Sequence, residues 1–104
     1  MNIPKKIRVE GIDFSVLILS NEQMNSLKKD GESEIGTLCG ITDFEETKIL
    51  INNAYCESMR EQTFWHELIH IIDSRMNPLT EEQIDNLARR LNAIFKDNPK
   101  LFKD

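Results

Sequence analysis

This chain of 104 residues has little cysteine and little histidine: it holds two residues of each, with four glycines and three prolines. Two cysteines do not make a disulfide framework, so Cys39 and Cys56 are expected to be free thiols that pack as small apolar residues. Neither lies in a CxxC pair, so zinc binding by a cysteine is the less favoured interpretation.

The chain also lacks the features of membrane, secreted and nucleic-acid-binding proteins. No apolar run approaches the roughly 20 residues of a membrane span. The stretch after the basic N-terminus is interrupted by Arg8, Glu10 and Asp13, which argues against a signal peptide. A net charge of −5 argues against broad electrostatic binding of nucleic acid. We therefore expect one cytoplasmic domain over residues 1–104, with no membrane and no nucleic acid among its partners.

Both histidines lie in one short motif, His66-Glu67-Leu68-Ile69-His70, of the pattern H-E-x-x-H. At this composition the pattern arises by chance in about 0.2% of sequences. Residues four apart on a helix lie on one face, so two imidazoles can bind one metal ion. The adjacent glutamate can hold a water molecule and take its proton. The motif predicts a Zn2+ site with His66 and His70 as ligands and Glu67 as the catalytic base.

The first half of the chain is predicted to form a small, mostly antiparallel sheet. Residues 6–9 and 14–19 alternate polar and apolar side chains or are rich in β-branched residues, which predicts a hairpin. Residues 34–40 and 47–52 predict a second antiparallel hairpin, and the glycines of its first strand indicate a close backbone approach. Between the hairpins, residues 20–27 predict a short capped helix.

A long helix is predicted from Ser58 to about residue 76, with a capping box between Ser58 and Glu61. It ends before Pro78, because proline disfavours helix in the residue that precedes it. Apolar side chains cover more than half of its circumference and leave one narrow polar stripe, which contains the H-E-x-x-H motif. A helix of this kind is largely buried, and its polar stripe should line a cavity.

A second long helix is predicted after Thr80, whose capping box uses Gln83, and it ends before Asn98. Its apolar face consists of Ile84, Leu87, Ala88, Leu91, Ile94 and Phe95. Together these elements predict a compact α+β domain, in which three or four mostly antiparallel strands pack on two long helices.

A catalytic zinc site usually has three protein ligands, and the chain has no third histidine, so a carboxylate is the expected third ligand. The last helix is its natural source. On a helical wheel Glu81 lies about 80° from the centre of the apolar face, while Glu82 and Asp85 lie about 180° and 120° away and are expected to face water. We therefore assign Glu81, with Glu82 next if the helix begins late. Asp73 lies one turn beyond His70 and is expected to orient that imidazole.

Residues 63–73, Thr-Phe-Trp-His-Glu-Leu-Ile-His-Ile-Ile-Asp, and the segment that follows them resemble small zincin-like proteins of phages and mobile elements. These proteins are related to the ImmA/IrrE metallopeptidases. In that family the third ligand is a glutamate on the next helix, ahead of an apolar-Ala pair like Leu87-Ala88, which agrees with Glu81 or Glu82 without choosing between them. The resemblance also implies that an edge strand within residues 36–52 holds an extended substrate.

What the resemblance implies is a minimal zincin-like metallopeptidase that hydrolyses a protein or peptide, with a repressor among the candidate substrates. Zn2+ would be held by His66, His70 and Glu81, and Glu67 would act first as the base and then as the proton donor to the leaving amine. One alternative is a catalytically silent zinc-binding interaction module. Another is a metal-free protein in which the two histidines are structural.

Overall fold

The computed structural model describes residues 2–27, 39–73 and 79–100, which form four strands and three helices. In chain order they are β1 (Lys6–Val9), β2 (Ile12–Leu19), α1 (Asn21–Ser26), β3 (Gly40–Asp43), β4 (Lys48–Asn52), α2 (Glu57–Asp73) and α3 (Glu81–Asp97). This is the α+β fold that the sequence predicts. No helix in these ranges combines the length and the apolar character that crossing a membrane would require.

The four strands form one mixed sheet in the order β1-β2-β4-β3. The outer pairs are antiparallel hairpins, as predicted, whereas the central strands β2 and β4 run parallel, with Val16 opposite Ile49. The sequence did not indicate this parallel pair, because it joins strands that are distant in the chain. Strand β3 begins only at Gly40, where the predicted strand over residues 34–40 ends; Cys39 is not in a strand, and residues 34–38 lie outside the described residues.

The main core lies between the sheet and α2. The inward side chains of β2 and β4 meet the apolar face of α2, and all are buried: Phe14, Val16, Ile49, Ile51, Phe64, Leu68 and Ile71. A second cluster, of Ile69, Ile84 and Ala88, joins α2 to α3. Helix α2 is therefore packed on two sides, which explains why so much of its circumference is apolar.

The predicted caps are confirmed for α1 and α3. The hydroxyl of Thr80 accepts a hydrogen bond from the Gln83 amide at 3.1 Å, and the Gln83 side chain accepts one from the Thr80 amide at 2.9 Å. The same reciprocal pair of bonds caps α1 through Ser20 and Gln23. Each capping box satisfies two backbone donors with residues close in sequence, so it depends little on the rest of the fold.

The predicted capping box between Ser58 and Glu61 is wrong. Helix α2 begins at Glu57, so Ser58 lies inside its first turn, and the Ser58 hydroxyl accepts a hydrogen bond from Lys96 Nζ of α3 at 2.8 Å. Glu61 is buried, with only 2% of its surface exposed. With Ser58 as the cap, the helix would begin at residue 59; its start two residues earlier is enough to replace a local cap with a contact between helices. The predicted end of α2 near residue 76 lies outside the described residues.

Candidate metal centre

Helix α2 presents both imidazoles to the same point in space. The Nε2 atoms of His66 and His70 are 3.1 Å apart, and their side chains are 17% and 30% exposed. The spacing of four residues causes this convergence, since it places the two side chains one turn apart on one helix face. The half-buried rings leave one side of the site accessible to solvent.

Glu81, the first residue of α3, brings its carboxylate to the same point. Its Oε2 lies 3.1 Å from His66 Nε2, and its Oε1 lies 3.0 Å from His70 Nε2. A tetrahedral zinc ion with bonds of about 2.0–2.1 Å holds neighbouring ligand atoms about 3.3 Å apart. The observed separations are within a few tenths of an ångström of that value, so two nitrogens and a carboxylate form a donor set that fits zinc. Of the two glutamates that the sequence left open, Glu81 is the one whose carboxylate reaches the imidazoles, although its side chain is 70% exposed.

Glu67 also lies close to both histidines, with ligand atoms of the three residues within 4.8 Å of one another. Its Oε2 is 3.9 Å from His66 Nε2, well beyond the distances that Glu81 makes. Its Oε1 is instead engaged by the Thr42 hydroxyl, which donates a hydrogen bond of 2.7 Å. Glu81 is therefore better placed than Glu67 to be a third metal ligand, and Glu67 lies beside the three groups that converge.

Burial raises the pKa of the Glu67 carboxyl above its ordinary value, since only 7% of the residue is exposed and desolvation disfavours the charged form. The hydrogen bond from Thr42 and the nearby His66 and His70 act in the opposite direction and lower this pKa. A carboxyl group with a raised pKa is a stronger base when it is ionised, which suits the abstraction of a proton from water.

Strand β3 reaches Glu67 because residue 40 is a glycine. A Cβ on Gly40 would lie 2.5 Å from Thr63 Cγ2 and 3.3 Å from Glu67 Cγ, so the strand packs against α2 where no side chain fits. Thr42 follows two residues later on the same face of the strand, which explains its contact with Glu67. The sequence indicated the close approach at the glycine, but it carried no signal for the role of Thr42.

Asp85, which the sequence assigned to solvent, contacts His66. Its Oδ1 lies 2.6 Å from His66 Nδ1, although the side chain remains 52% exposed. An Nδ1–H group that donates to this carboxylate leaves the Nε2 lone pair directed at the metal position. Asp85 therefore holds His66 in the tautomer and orientation that a ligand needs.

The helical wheel was wrong for Asp85 because α3 buries a different face from the one its apolar residues predict. The buried residues of α3 are Ile84, Ala88 and Asn92, whereas Leu87 and Ile94 remain 43% and 47% exposed. On the scale that sets Glu81 at zero, the buried face is centred near 340° instead of 280°. That rotation of about 60° moves Glu81 and Asp85 toward α2 and leaves Glu82 about 120° away.

The predicted contact between Asp73 and His70 is also wrong. Asp73 Oδ2 accepts a hydrogen bond of 2.8 Å from the Leu79 amide, just before α3. The Asp73 carboxylate at the end of α2 thus binds the backbone just before α3. This bond helps to fix the position of the first residue of α3, Glu81.

A cavity of about 390 Å³ opens beside Glu67, between α2, α3 and the start of β3. Its lining includes His66, Glu67 and Asp85 of the centre, together with Met59 and Arg89. This volume lies at the lower end of the range of small-ligand pockets, and it is sufficient for one side chain of a peptide. The polar stripe of α2 thus lines a cavity, as the sequence predicted.

Comparison with known proteins identifies no relative: no protein-family model, no curated protein and no solved structure matches this chain. The interpretation of the centre therefore depends on its geometry.

Proposed function

We propose that this protein is a zinc-dependent metallopeptidase whose metal ligands are His66, His70 and Glu81. The observation that carries the proposal is the convergence of three ligand side chains at separations of 3.0–3.1 Å, with a buried carboxylate beside them. A structural zinc site would be closed by a fourth protein ligand, whereas a catalytic site keeps one position open. The described residues supply three ligand side chains, and a cavity lined by His66 and Glu67 adjoins them.

Zinc bound by these ligands would lower the pKa of a water molecule and polarise the carbonyl of the scissile bond. Glu67 accepts the proton of the attacking water and then returns it to the leaving amine. The Thr42 hydroxyl holds Oε1 of Glu67, so the second oxygen, Oε2, is the one directed toward His66 and available for proton transfer. Asp85 keeps the His66 imidazole oriented throughout.

Strand β3 supports a peptide as the substrate. It occupies one edge of the described sheet, and it packs on α2 next to Glu67 through Gly40 and Thr42. An edge strand carries backbone donors and acceptors on its outer side, to which an extended peptide can bind as an additional strand. A peptide bound there would run alongside the proposed base.

Two measurements test the proposal. Elemental analysis should find one zinc per chain in the wild-type protein and in Glu67→Gln, and much less in Glu81→Gln. Cleavage of a peptide library, followed by mass spectrometry, should detect turnover in the wild-type protein and a loss of at least about 100-fold in Glu67→Gln, the usual contribution of a general base. The matched control is Glu82→Gln, which makes the same change in charge next to Glu81 and should keep both zinc and activity.

The alternative functions give different results. If zinc is bound and no peptide in the library is cleaved, the protein is a zinc-binding interaction module. If Glu67→Gln cleaves as fast as the wild-type protein, Glu67 is not the base and the mechanism is wrong. A protein that purifies without zinc and is not stabilised by added zinc would contradict the metal site itself.

A further inference from the structure

The cavity beside Glu67 is lined by one arginine, Arg89, for which the described residues supply no ion-pair partner. Its charged lining residues are the centre's own His66, Glu67 and Asp85, and Arg89 of α3. Both carboxylates are engaged, Glu67 by the Thr42 hydroxyl and Asp85 by His66 Nδ1. The other lining residues that the structure describes, which include Met59 and Thr63, are uncharged.

Arg89 would ordinarily pair with Asp85. The two residues are four apart on α3, which is the spacing at which aspartate and arginine form ion pairs on a helix. Asp85 Oδ1 instead lies 2.6 Å from His66 Nδ1, and the exposed Arg89 forms no ion pair with a carboxylate anywhere in residues 2–27, 39–73 and 79–100. On the helical wheel Arg89 lies about 100° from the centre of the buried face, at the boundary that borders the cavity.

We propose that this cavity binds a carboxylate of the substrate and that Arg89 is the residue that selects it. The proposal rests on the proposed peptidase function, since a cavity bordered by Glu67 and His66 receives a residue that flanks the scissile bond. A guanidinium group binds a carboxylate through two parallel hydrogen bonds, which gives both affinity and orientation. The carboxylate belongs either to an aspartate or glutamate side chain or to the C-terminus of the peptide, and the two sources share the same chemistry.

The test measures binding without turnover, in the zinc-loaded full-length Glu67→Gln protein. Calorimetry compares alanine octapeptides with blocked ends that carry one glutamate, glutamine or lysine at each inner position, and one all-alanine peptide with a free C-terminal carboxylate. We expect the best glutamate peptide to bind about tenfold more tightly than its glutamine counterpart, as one charge-assisted hydrogen-bonded pair at a partly exposed site allows. If only the free C-terminal carboxylate is preferred, the cavity binds the end of a chain.

Charge reversal identifies the residue responsible. Arg89→Glu should abolish the preference for a carboxylate and favour the lysine peptide, and Arg89→Gln should abolish the preference without reversing it. The matched control is Arg90→Glu, which makes the same change in charge on an exposed residue about 160° from the buried face. It should keep the preference of the parent protein.

The proposal is overturned if no peptide carboxylate is preferred, or if Arg89→Glu changes the preference no more than Arg90→Glu does. A peptide carboxylate that binds at the metal instead of Arg89 would give the second result. Comparison of Arg89→Glu with Arg90→Glu therefore distinguishes binding by Arg89 from binding by the metal. Binding that depends on Arg89, combined with no cleavage by the wild-type protein, would contradict the proposed peptidase activity and leave this recognition site intact.

Discussion

Replacement of Asp85 should weaken zinc binding although Asp85 is not a proposed ligand. Its Oδ1 lies 2.6 Å from His66 Nδ1, so it fixes which nitrogen carries the proton and how the ring is turned. Loss of such a partner of a metal-binding histidine typically reduces metal affinity about 10–100-fold, which corresponds to about 1.4–2.7 kcal/mol. Asp85→Ala should fall in this range, and Asp85→Asn should lose less, because its amide oxygen still accepts from Nδ1–H.

The affinity is measured by competition with a chromophoric chelator, and stability provides a second measurement. At a fixed, saturating concentration of free zinc, the stabilisation by zinc should fall by the same 1.4–2.7 kcal/mol, since ligand binding stabilises the folded state in proportion to the logarithm of its affinity. Each kcal/mol corresponds to about 4–8 °C in Tm for a domain near this size. Without zinc, Asp85→Ala and the wild-type protein should unfold within a few degrees of each other, because the Asp85 side chain is half exposed.

Glu82→Ala is the control for this prediction, since it removes one negative charge from the same turn of α3 at an exposed position. Glu82→Ala measures how much the zinc affinity depends on the overall negative charge of α3. If Asp85→Ala loses no more zinc affinity than Glu82→Ala, the contact with His66 has no energetic role and the reasoning fails.

Two further predictions concern strand β3. Gly40→Ala should destabilise the protein by about 1–3 kcal/mol in urea unfolding, because the new Cβ would lie 2.5 Å from Thr63 Cγ2 and 3.1 Å from the Leu50 carbonyl oxygen; wild-type stability would contradict this packing. Thr42→Val should shift the acidic limb of the kcat/KM profile to higher pH. The Thr42 hydrogen bond lowers the pKa of Glu67, so its loss raises that pKa and the base ionises only at higher pH; an unchanged limb would exclude Glu67 as the titrating base.

Local features of the sequence predicted local structure well. The capping boxes at Ser20 and Thr80 are confirmed because each uses two residues three positions apart. The hairpin of β1 and β2 follows from alternation and a turn, which also involve only neighbours. The capping box at Ser58 failed because α2 begins at Glu57, which puts Ser58 inside the first turn, where its hydroxyl accepts from the distant Lys96.

Glu81 was predicted to be the third ligand from two features, a cap that involves neighbouring residues and an apolar pattern that spans the whole of α3. The cap at Thr80 set Glu81 as the first residue of α3, and the helical wheel placed it near the boundary of the apolar face. The same wheel placed Asp85 in water, because it assumed that every apolar residue of α3 turns inward. Leu87 and Ile94 instead remain half exposed, and the buried face includes Asn92.

By itself the sequence determined the pair of imidazoles, the adjacent glutamate and the helix that carries them, since a spacing of four residues on a helix brings side chains together without reference to any other element. Only the tertiary structure decided that Asp85 orients His66, that Thr42 holds Glu67 and that Arg89 borders the cavity. Each of these contacts depends on how α3 is rotated on α2 and on how closely β3 approaches it. The residues that make the contacts of Thr42 and Asp85 lie 25 and 19 positions from their partners in the chain. Packing between such distant elements leaves no periodic pattern in the sequence, so only the tertiary structure shows it.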